Sequence, residues 1–410
     1  MNHSTSAKLA LLGSLYFSQG LPFGFFTQAL PVLLRKQGHS LENVGLASLL
    51  ALPWALKFLW APVVDRYGSE RFGRRKSWIV PLQLVAIGVL AALASATELP
   101  SLHVLFGVVF LLNLVAATQD IATDGLAVSM LSSSERGLAN GVQVAGYRVG
   151  MVAGGGALLI LYDDLGQAGI FLSMAALTAL ATLPIAITRE PRTVVSKDEP
   201  ANVVHFVRRQ GAPRILGLLV AYKAGDAFAT GMLRPFLADA GYTLSDIGWL
   251  LGTVGFVAGL LGALAGGALV NRLGRKRALL VFGAAQALTV LGYAYLAAGQ
   301  LSRGPLYAVC AAEHFAGGMA TAALFTCMMD WCSREAAATD YTVQASAVVI
   351  ATGAAGALSG FSAQHLGFAG HFALAAALCL GSLVVVQRWF PAVDAAERLR
   401  RGTKELLSCV

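Results

Sequence analysis

Apolar runs long enough to cross a membrane as a helix recur from one end of this chain to the other. A helix needs roughly 20 apolar residues to span the hydrocarbon of a bilayer, and about twelve segments reach that length. They run approximately over 9–34, 42–64, 78–97, 103–130, 137–162, 167–187, 213–238, 245–270, 278–299, 304–330, 341–362 and 367–389. Several exceed the minimum, which predicts tilted or broken helices. None alternates apolar and polar residues with period two, so a β-barrel is not expected. The chain is 56% hydrophobic and only 13% charged, more apolar surface than a water-soluble fold can cover. Its 45 glycines suit helices whose backbones approach closely in lipid. The expected fold class is an all-α polytopic membrane protein of twelve transmembrane helices in two pseudo-symmetric six-helix halves.

The net charge of +8 raises the question of nucleic acid, and its placement answers it. With the N-terminus in the cytoplasm, Arg35, Lys36 and Arg303 fall on the far side. Lys57, Arg148, Lys223 and Arg234 fall within apolar segments, and every other Lys and Arg falls in a loop or tail on the cytoplasmic side. This positive-inside bias places both termini in the cytoplasm and reads as topology, not as a nucleic-acid patch. Lys8 precedes an apolar stretch too long for a signal peptide and without a convincing cleavage site, so that stretch is read as the first helix. Cys310, Cys327, Cys332, Cys379 and Cys409 have no metal-ligand spacing and are read as free thiols. No metal and no cofactor are expected.

The segment from Arg189 to Arg214, with Pro191, Pro200 and Pro213, reads as a cytoplasmic linker. The expected organisation is a first half over 1–188, a linker over 189–212, a second half over 213–392 and a tail over 393–410. The halves echo each other: "GHSLENVG" (38–45) resembles "GYTLSDIG" (241–248), and "DRYGSERFGRRK" (65–76) has a shorter counterpart in "NRLGRKR" (271–277). An internal duplication in a polytopic membrane protein is a mark of alternating-access transporters.

The basic loop between the second and third segments resembles the signature of the major facilitator superfamily. "GYRVGMVAGGGA" (146–157) resembles its small-residue helix, for which close packing between the halves is expected. The resemblance implies that Asp65, Arg66, Arg74 and Arg75 form a cytoplasmic charge latch. "KFLWAPVVDRYG" (57–68), "FGRRKSW" (72–78), "TQDIATDG" (118–125) and "GYRVGM" (146–151) narrow the resemblance to the AmpG-like branch of muropeptide permeases, acetyl-CoA transporters and single-polypeptide siderophore permeases. The second half departs more, with Asn271 where the first has Asp65. Muropeptide permeases of the branch commonly carry two extra helices, for which this chain has no room. Its length, "YFSQGLPFGFFTQALPVLLR" (16–35) and "LPWALKFLWAP" (52–62) resemble the siderophore permeases most, the ferripyochelin type in particular. The function this implies is import of a ferric siderophore across the bacterial inner membrane, with muropeptide import as the alternative.

Charges inside apolar segments are the candidate site. In "AATQDIATDG" (116–125), Asp120 and Asp124 share a helix face through their i,i+4 spacing. At 1.5 Å per residue, Asp120 lies ~15 Å and Asp124 ~9 Å from the cytoplasmic end of the segment. Lys57 lies ~12 Å and Arg148 ~16 Å inside theirs. A charge at such depth costs ~3 kcal/mol or more against lipid, so all four should face the interior. One reading is a structural pair such as Asp120–Arg148. The other has Lys57 and Arg148 receiving an anionic group of the substrate while Asp120 or Asp124 carries the coupling proton. In the second half Lys223 and Asp226 can pair locally, Glu313 and His314 are further proton candidates, Arg234 can snorkel, and Asp330 is expected to be solvated at a helix end.

Tyr16, Gln19 and Phe23 share a face of the first helix, where Pro22 and Pro31 interrupt the backbone hydrogen bonds, and are read as cavity residues able to stack on a substrate ring. No HExxH, GxSxG or ATP-binding motif is present, so an enzyme is not expected and the energy must come from a gradient. The expected partners are the substrate, protons and the bilayer, and a monomer is expected.

Overall fold

The computed structural model describes residues 4–36, 47–96, 101–190, 202–299, 302–333 and 335–408. Outside them lie "GHSLENVG", most of the linker's prolines and Cys409. The described residues form helices, apart from one isolated bridge between Ser69 and Gly73. A chain crossing lipid must satisfy every backbone group internally, and helices do so.

We number the helices by the apolar segment each occupies. α1 spans 5–36, α2 47–66, α3 Lys76–Ser95, α4 Leu102–Met130, α5 136–160 and α6 Tyr162–Ile187. α7 spans 212–239, α8 244–273, α9 Arg275–Ala298 and α10 Arg303–Asp330; α11 and α12 are the two arms of Ala337–Ser408. Among the described residues, eight helical stretches are long and apolar enough to cross a membrane, and the last of these, Ala337–Glu397, contains both arms. α2, α5 and α7 fall short as single apolar rods: α2 is broken into short pieces, α5 carries Arg148, and the 20-residue first stretch of α7 carries Arg214, Lys223 and Asp226.

The breaks have local causes. Pro22 lies inside α1, and a π-helical turn follows at Phe25–Ala29. α2, one apolar segment in the sequence, is four short pieces: a 3₁₀ stretch at Ala47–Ala51, Leu52–Leu56 with Pro53 in its first turn, a 3₁₀ turn at Lys57–Leu59, and Ala61–Arg66 with Pro62 in its first turn. Each proline can begin a helix but cannot continue one. Gly166 bends α6 and Gly367 separates α11 from α12, with φ of 63° and 66°. Two glycines in the same left-handed conformation, each just before the last crossing of its half, echo the internal repeat.

By contacts the chain forms two compact units. One comprises Met1–Glu135, Val142–Val203 and Cys332–Ser346; the other comprises Arg136–Gly141, Val204–Trp331 and Ala347–Val410. The first turns of α5 thus belong to the second unit, and those of α11 to the first. Within the first unit, α5 packs backbone to backbone on α1: a Cβ on Gly150 or Gly154 would collide with the carbonyls of Phe17 and Leu21. The glycine stripe of α5, expected to pack between halves, therefore does this inside one unit. Residues Val203–Arg208 of the linker are helical, and α12 continues as helix through the expected tail to Ser408.

Candidate functional site

Within the first unit the structure gathers Tyr16 of α1, Lys57 of α2, and Asp120 and Asp124 of α4. All four are 7% exposed or less, deep enough to exclude bulk water. The broken geometry of α2 matters here, because the 3₁₀ turn between its two prolines carries Lys57. The Lys57 ammonium pairs with Asp120 and stands 3.9 Å from an oxygen of Asp124. The other Asp124 oxygen accepts a 2.7 Å hydrogen bond from the Tyr16 hydroxyl. One cation therefore faces two carboxylates, and the second acid leans on a neutral donor. Asp120 has its ion pair with Lys57 of α2, whereas the sequence pointed to Arg148 as the example partner; Arg148 is half-buried on α5.

An aromatic face adjoins this cluster. Phe23 packs edge-on against Trp54 at 5.5 Å and lies 5.7 Å from Tyr147, whose ring is 6.3 Å from Trp54. The Lys57 ammonium is 5.8 Å from the Trp54 ring. The Trp54 indole N–H donates to Asn113 at 2.9 Å, which fixes the plane of that ring. Gln19 lies on the same face of α1, is fully buried, and has neither amide atom hydrogen-bonded. Its neighbour Ser18 accepts from Gln83 at 2.9 Å and from Gln119 at 3.1 Å. Trp54, Tyr147, Asn113 and Ser18 were absent from the sequence reading. For the two polar residues, their place in apolar segments was the available signal.

The loop after α2 forms a second cluster. Asp65 pairs with Arg75, and its oxygens accept from the backbone N–H groups of Ala338 at 3.3 Å and Thr339 at 2.6 Å, in the first turn of α11. A carboxylate there satisfies orphan N–H groups and complements the helix dipole. Arg74 donates to the Asp65 carbonyl, and Arg75 also donates to the Val64 carbonyl at 3.0 Å. Glu190 caps α3, accepting from the N–H groups of Arg75 and Lys76, both at 2.9 Å. Burial raises the Glu190 pKa, against those N–H groups and the nearby Arg75 and Arg74. The Arg66 carbonyl accepts from Arg74 at 3.4 Å, but its side chain points away from the latch, exposed 5.9 Å from the ring of Tyr67.

In the second unit, Lys223 and Asp226 pair at 2.8 Å, and Lys223 also reaches the hydroxyl of Thr321 at 3.3 Å. Glu313 is buried on α10; the Nδ1 of His314 lies 2.8 Å from its Oε2 and 3.0 Å from the Cys310 carbonyl. The Cys310 carbonyl, and its thiol at 3.7 Å, have hydrogen-bonding geometry to that nitrogen, and the Glu313 oxygen does not. Arg234 is exposed. Asp330, expected to be solvated, is instead bridged at 2.7 Å to Arg136 of α5 and at 2.7 Å to Arg275 of α9. It supplies a carboxylate beside Asn271, which accepts from Arg275 at 2.6 Å and stands where the first half has Asp65. Cys310, Cys327, Cys332 and Cys379 are buried and not joined in disulfides.

An all-helical chain with buried ionised residues in helices of membrane-crossing length is a polytopic membrane protein whose interior is built around charge. Comparisons with known proteins identify the class further. Residues 8–164 match the family described as acetyl-coenzyme A transporter 1, and residues 215–408 match the Major Facilitator Superfamily. The anhydromuropeptide permease of Escherichia coli K12 is 31% identical over 393 residues, covering 93% of this chain and 79% of that protein. A putative transporter AmpG 4 of Rickettsia felis is 27% identical, covering 90% and 92%. Among solved structures, the Escherichia coli fucose:proton symporter superposes with a TM-score of 0.71 at 14% identity, covering 94% of this chain and 99% of that one. A bacterial homologue of the iron transporter ferroportin, outward-facing, gives 0.70 at 17%, with the same coverage. At those identities the structures speak for the fold alone. The chain belongs to the major facilitator superfamily, in its AmpG-like branch, and is a membrane transporter of that type. The relatives named for a substrate in that branch are muropeptide permeases, so the expected place beside siderophore permeases gains no support from them.

Proposed function

We propose that this chain imports anhydromuropeptide-type solutes across the bacterial inner membrane by proton symport, with both termini in the cytoplasm. The observation that carries the reading is the buried Lys57–Asp120–Asp124–Tyr16 cluster beside the Phe23–Trp54–Tyr147 face. Such a solute offers sugar rings and peptide carboxylates. A ring lies on the aromatic face, and a carboxylate received by Lys57 and Arg148 draws Lys57 away from Asp120. Asp120 is then an unpaired buried charge and takes up a proton, and Asp124, already held by a neutral hydroxyl, is the second site on that route. Glu313 and His314 are the corresponding proton carriers of the second half. The six-helix halves, 1–188 and 213–392, alternate access to the site, Asp65, Arg74 and Arg75 act as the cytoplasmic latch, and the transporter works as a monomer.

A ferric siderophore of the pyochelin kind is the second reading. One observation favours it: the three aromatic rings suit an aryl ligand. Uptake into proteoliposomes under a proton gradient decides between them, with labelled anhydromuropeptide, ferripyochelin and iron-free pyochelin offered in parallel. Saturable muropeptide accumulation abolished by a protonophore supports the first reading. Accumulation of the siderophore alone replaces the substrate, and uptake of either that ignores the protonophore overturns the symport mechanism.

A further inference from the structure

We propose that the groove beside the α2–α3 loop binds an anionic phospholipid, with its phosphodiester on Arg66 and Arg71 and an acyl chain along α3. The groove has a volume of 380 Å³ and runs from Tyr67 in the loop past Ser77 and Trp78 to Pro81, Leu82 and Val85 of α3. Ser77 to Val85 covers ~12 Å of helix, most of the ~15 Å hydrocarbon depth of one leaflet. The α3 end of the groove is apolar, and its Val85 and the neighbouring Leu84 are 45% and 58% exposed, so the apolar path continues towards the bilayer interior.

The mouth is held in shape. The Trp78 indole N–H donates to the Tyr67 carbonyl at 2.6 Å, and the Ser77 hydroxyl accepts from the Ser69 N–H at 3.0 Å. Tyr67 and Trp78 are the residue types that settle at headgroup level. The charge is divided unevenly along the loop. Arg75 is committed to Asp65, and Arg74 and Lys76 are committed to backbone carbonyls. Arg66 and Arg71 are exposed, and the Arg66 guanidinium stands 5.9 Å from the ring of Tyr67, which lines the groove. The Arg66 guanidinium beside the groove-lining Tyr67, with Arg71 exposed in the same loop, complements a phosphodiester whose tail lies in the apolar trough. This gives Arg66 a role its latch neighbours do not share.

The test uses the full chain in nanodiscs of zwitterionic lipid doped with phosphatidylglycerol or phosphatidylcholine bearing brominated acyl chains, reading tryptophan fluorescence. Trp78→Phe identifies the share of the quenching that comes from the groove among the chain's 6 tryptophans. The anionic lipid should quench Trp78 at a lower mole fraction, by roughly fivefold for each arginine engaged. Arg66→Gln with Arg71→Gln should remove that preference while leaving quenching by the zwitterionic lipid intact. Equal quenching by both headgroups in the wild type, or a preference that survives the double substitution, overturns the proposal. Displacement of the brominated lipid by glycerol phosphate alone overturns the acyl-chain part, since a free headgroup would then suffice.

Discussion

The hydroxyl of Tyr16 on α1 donates a 2.7 Å hydrogen bond to Asp124 on α4, so a neutral donor supports an acid that Lys57 approaches only to 3.9 Å. Removing that donor leaves a buried carboxylate oxygen without it, at a cost of ~1–3 kcal/mol. Tyr16→Phe should therefore lower the thermal midpoint and alter the pH dependence of proton-driven uptake. Asp124→Asn should make the two changes non-additive in a double-mutant cycle. Strict additivity, with an unchanged pH profile, would separate Tyr16 from the proton route.

Lys57 and Asp120 test whether the pair is structural or functional. Lys57→Met strands Asp120 in the interior, and losing one partner of a buried pair costs ~3–5 kcal/mol. Lys57→Met with Asp120→Asn removes both charges and should recover most of that stability. Uptake distinguishes the roles. A pair that only ties α2 to α4 would let the double variant transport as the wild type does, whereas a coupling pair leaves it folded but unable to use a proton gradient.

Asp120, Asp124 and Lys57 were legible in the sequence because each breaks an apolar segment at similar depth. Their pairing was less legible. Residue counting gives height along a helix but not the direction it faces, and α2 has no regular helical face near Lys57, which sits in a 3₁₀ turn between Pro53 and Pro62. The expected Asp120–Arg148 example gave way to Lys57 for that reason. Trp54 and Tyr147 were hidden because an aromatic residue in a membrane segment looks the same whether it packs or lines a site. Asp330 sits at the end of α10, where a lone acid reads as solvated; its two arginines come from α5 and α9, and no local pattern announces them.

The two basic loops are built differently. In the first half, Asp65 sits at the end of α2 and pairs with Arg75; in the second, Asn271 occupies the matching place and Asp330 of α10 supplies the carboxylate to Arg275. Asp330→Asn should destabilise the second unit and reduce uptake, because Arg136 and Arg275 lose a shared partner. Asn271→Asp should partly restore both, since it returns a carboxylate within reach of Arg275. Failure of that rescue, with the double variant folded, would mean that the Arg136 contact carries the role.

Two glutamates outside the membrane-crossing helices should respond to pH in opposite senses. Partial burial acts to raise Glu135, but hydrogen bonds from Lys8, the Ser132 N–H and the hydroxyls of Thr5 and Ser132 outweigh it and hold its pKa down to about 2. Against an ordinary glutamate near ~4.3, its stabilising contribution is fully present above that value and is lost as pH falls towards about 2. Its ties are partly solvated, so the contribution is within about 1 kcal/mol. Glu190 is shifted the other way by burial, so its favourable contribution is complete at low pH and is lost as pH rises through its raised value. Thermal midpoints followed from pH 7 to pH 3 should show Glu135→Gln less stable than wild type at the top of the range, with the gap closing downward. Glu190→Gln keeps an oxygen for the N–H groups of Arg75 and Lys76, and should gain on wild type as pH rises. Parallel pH curves for wild type and both variants would remove the linkage of either carboxylate to folding.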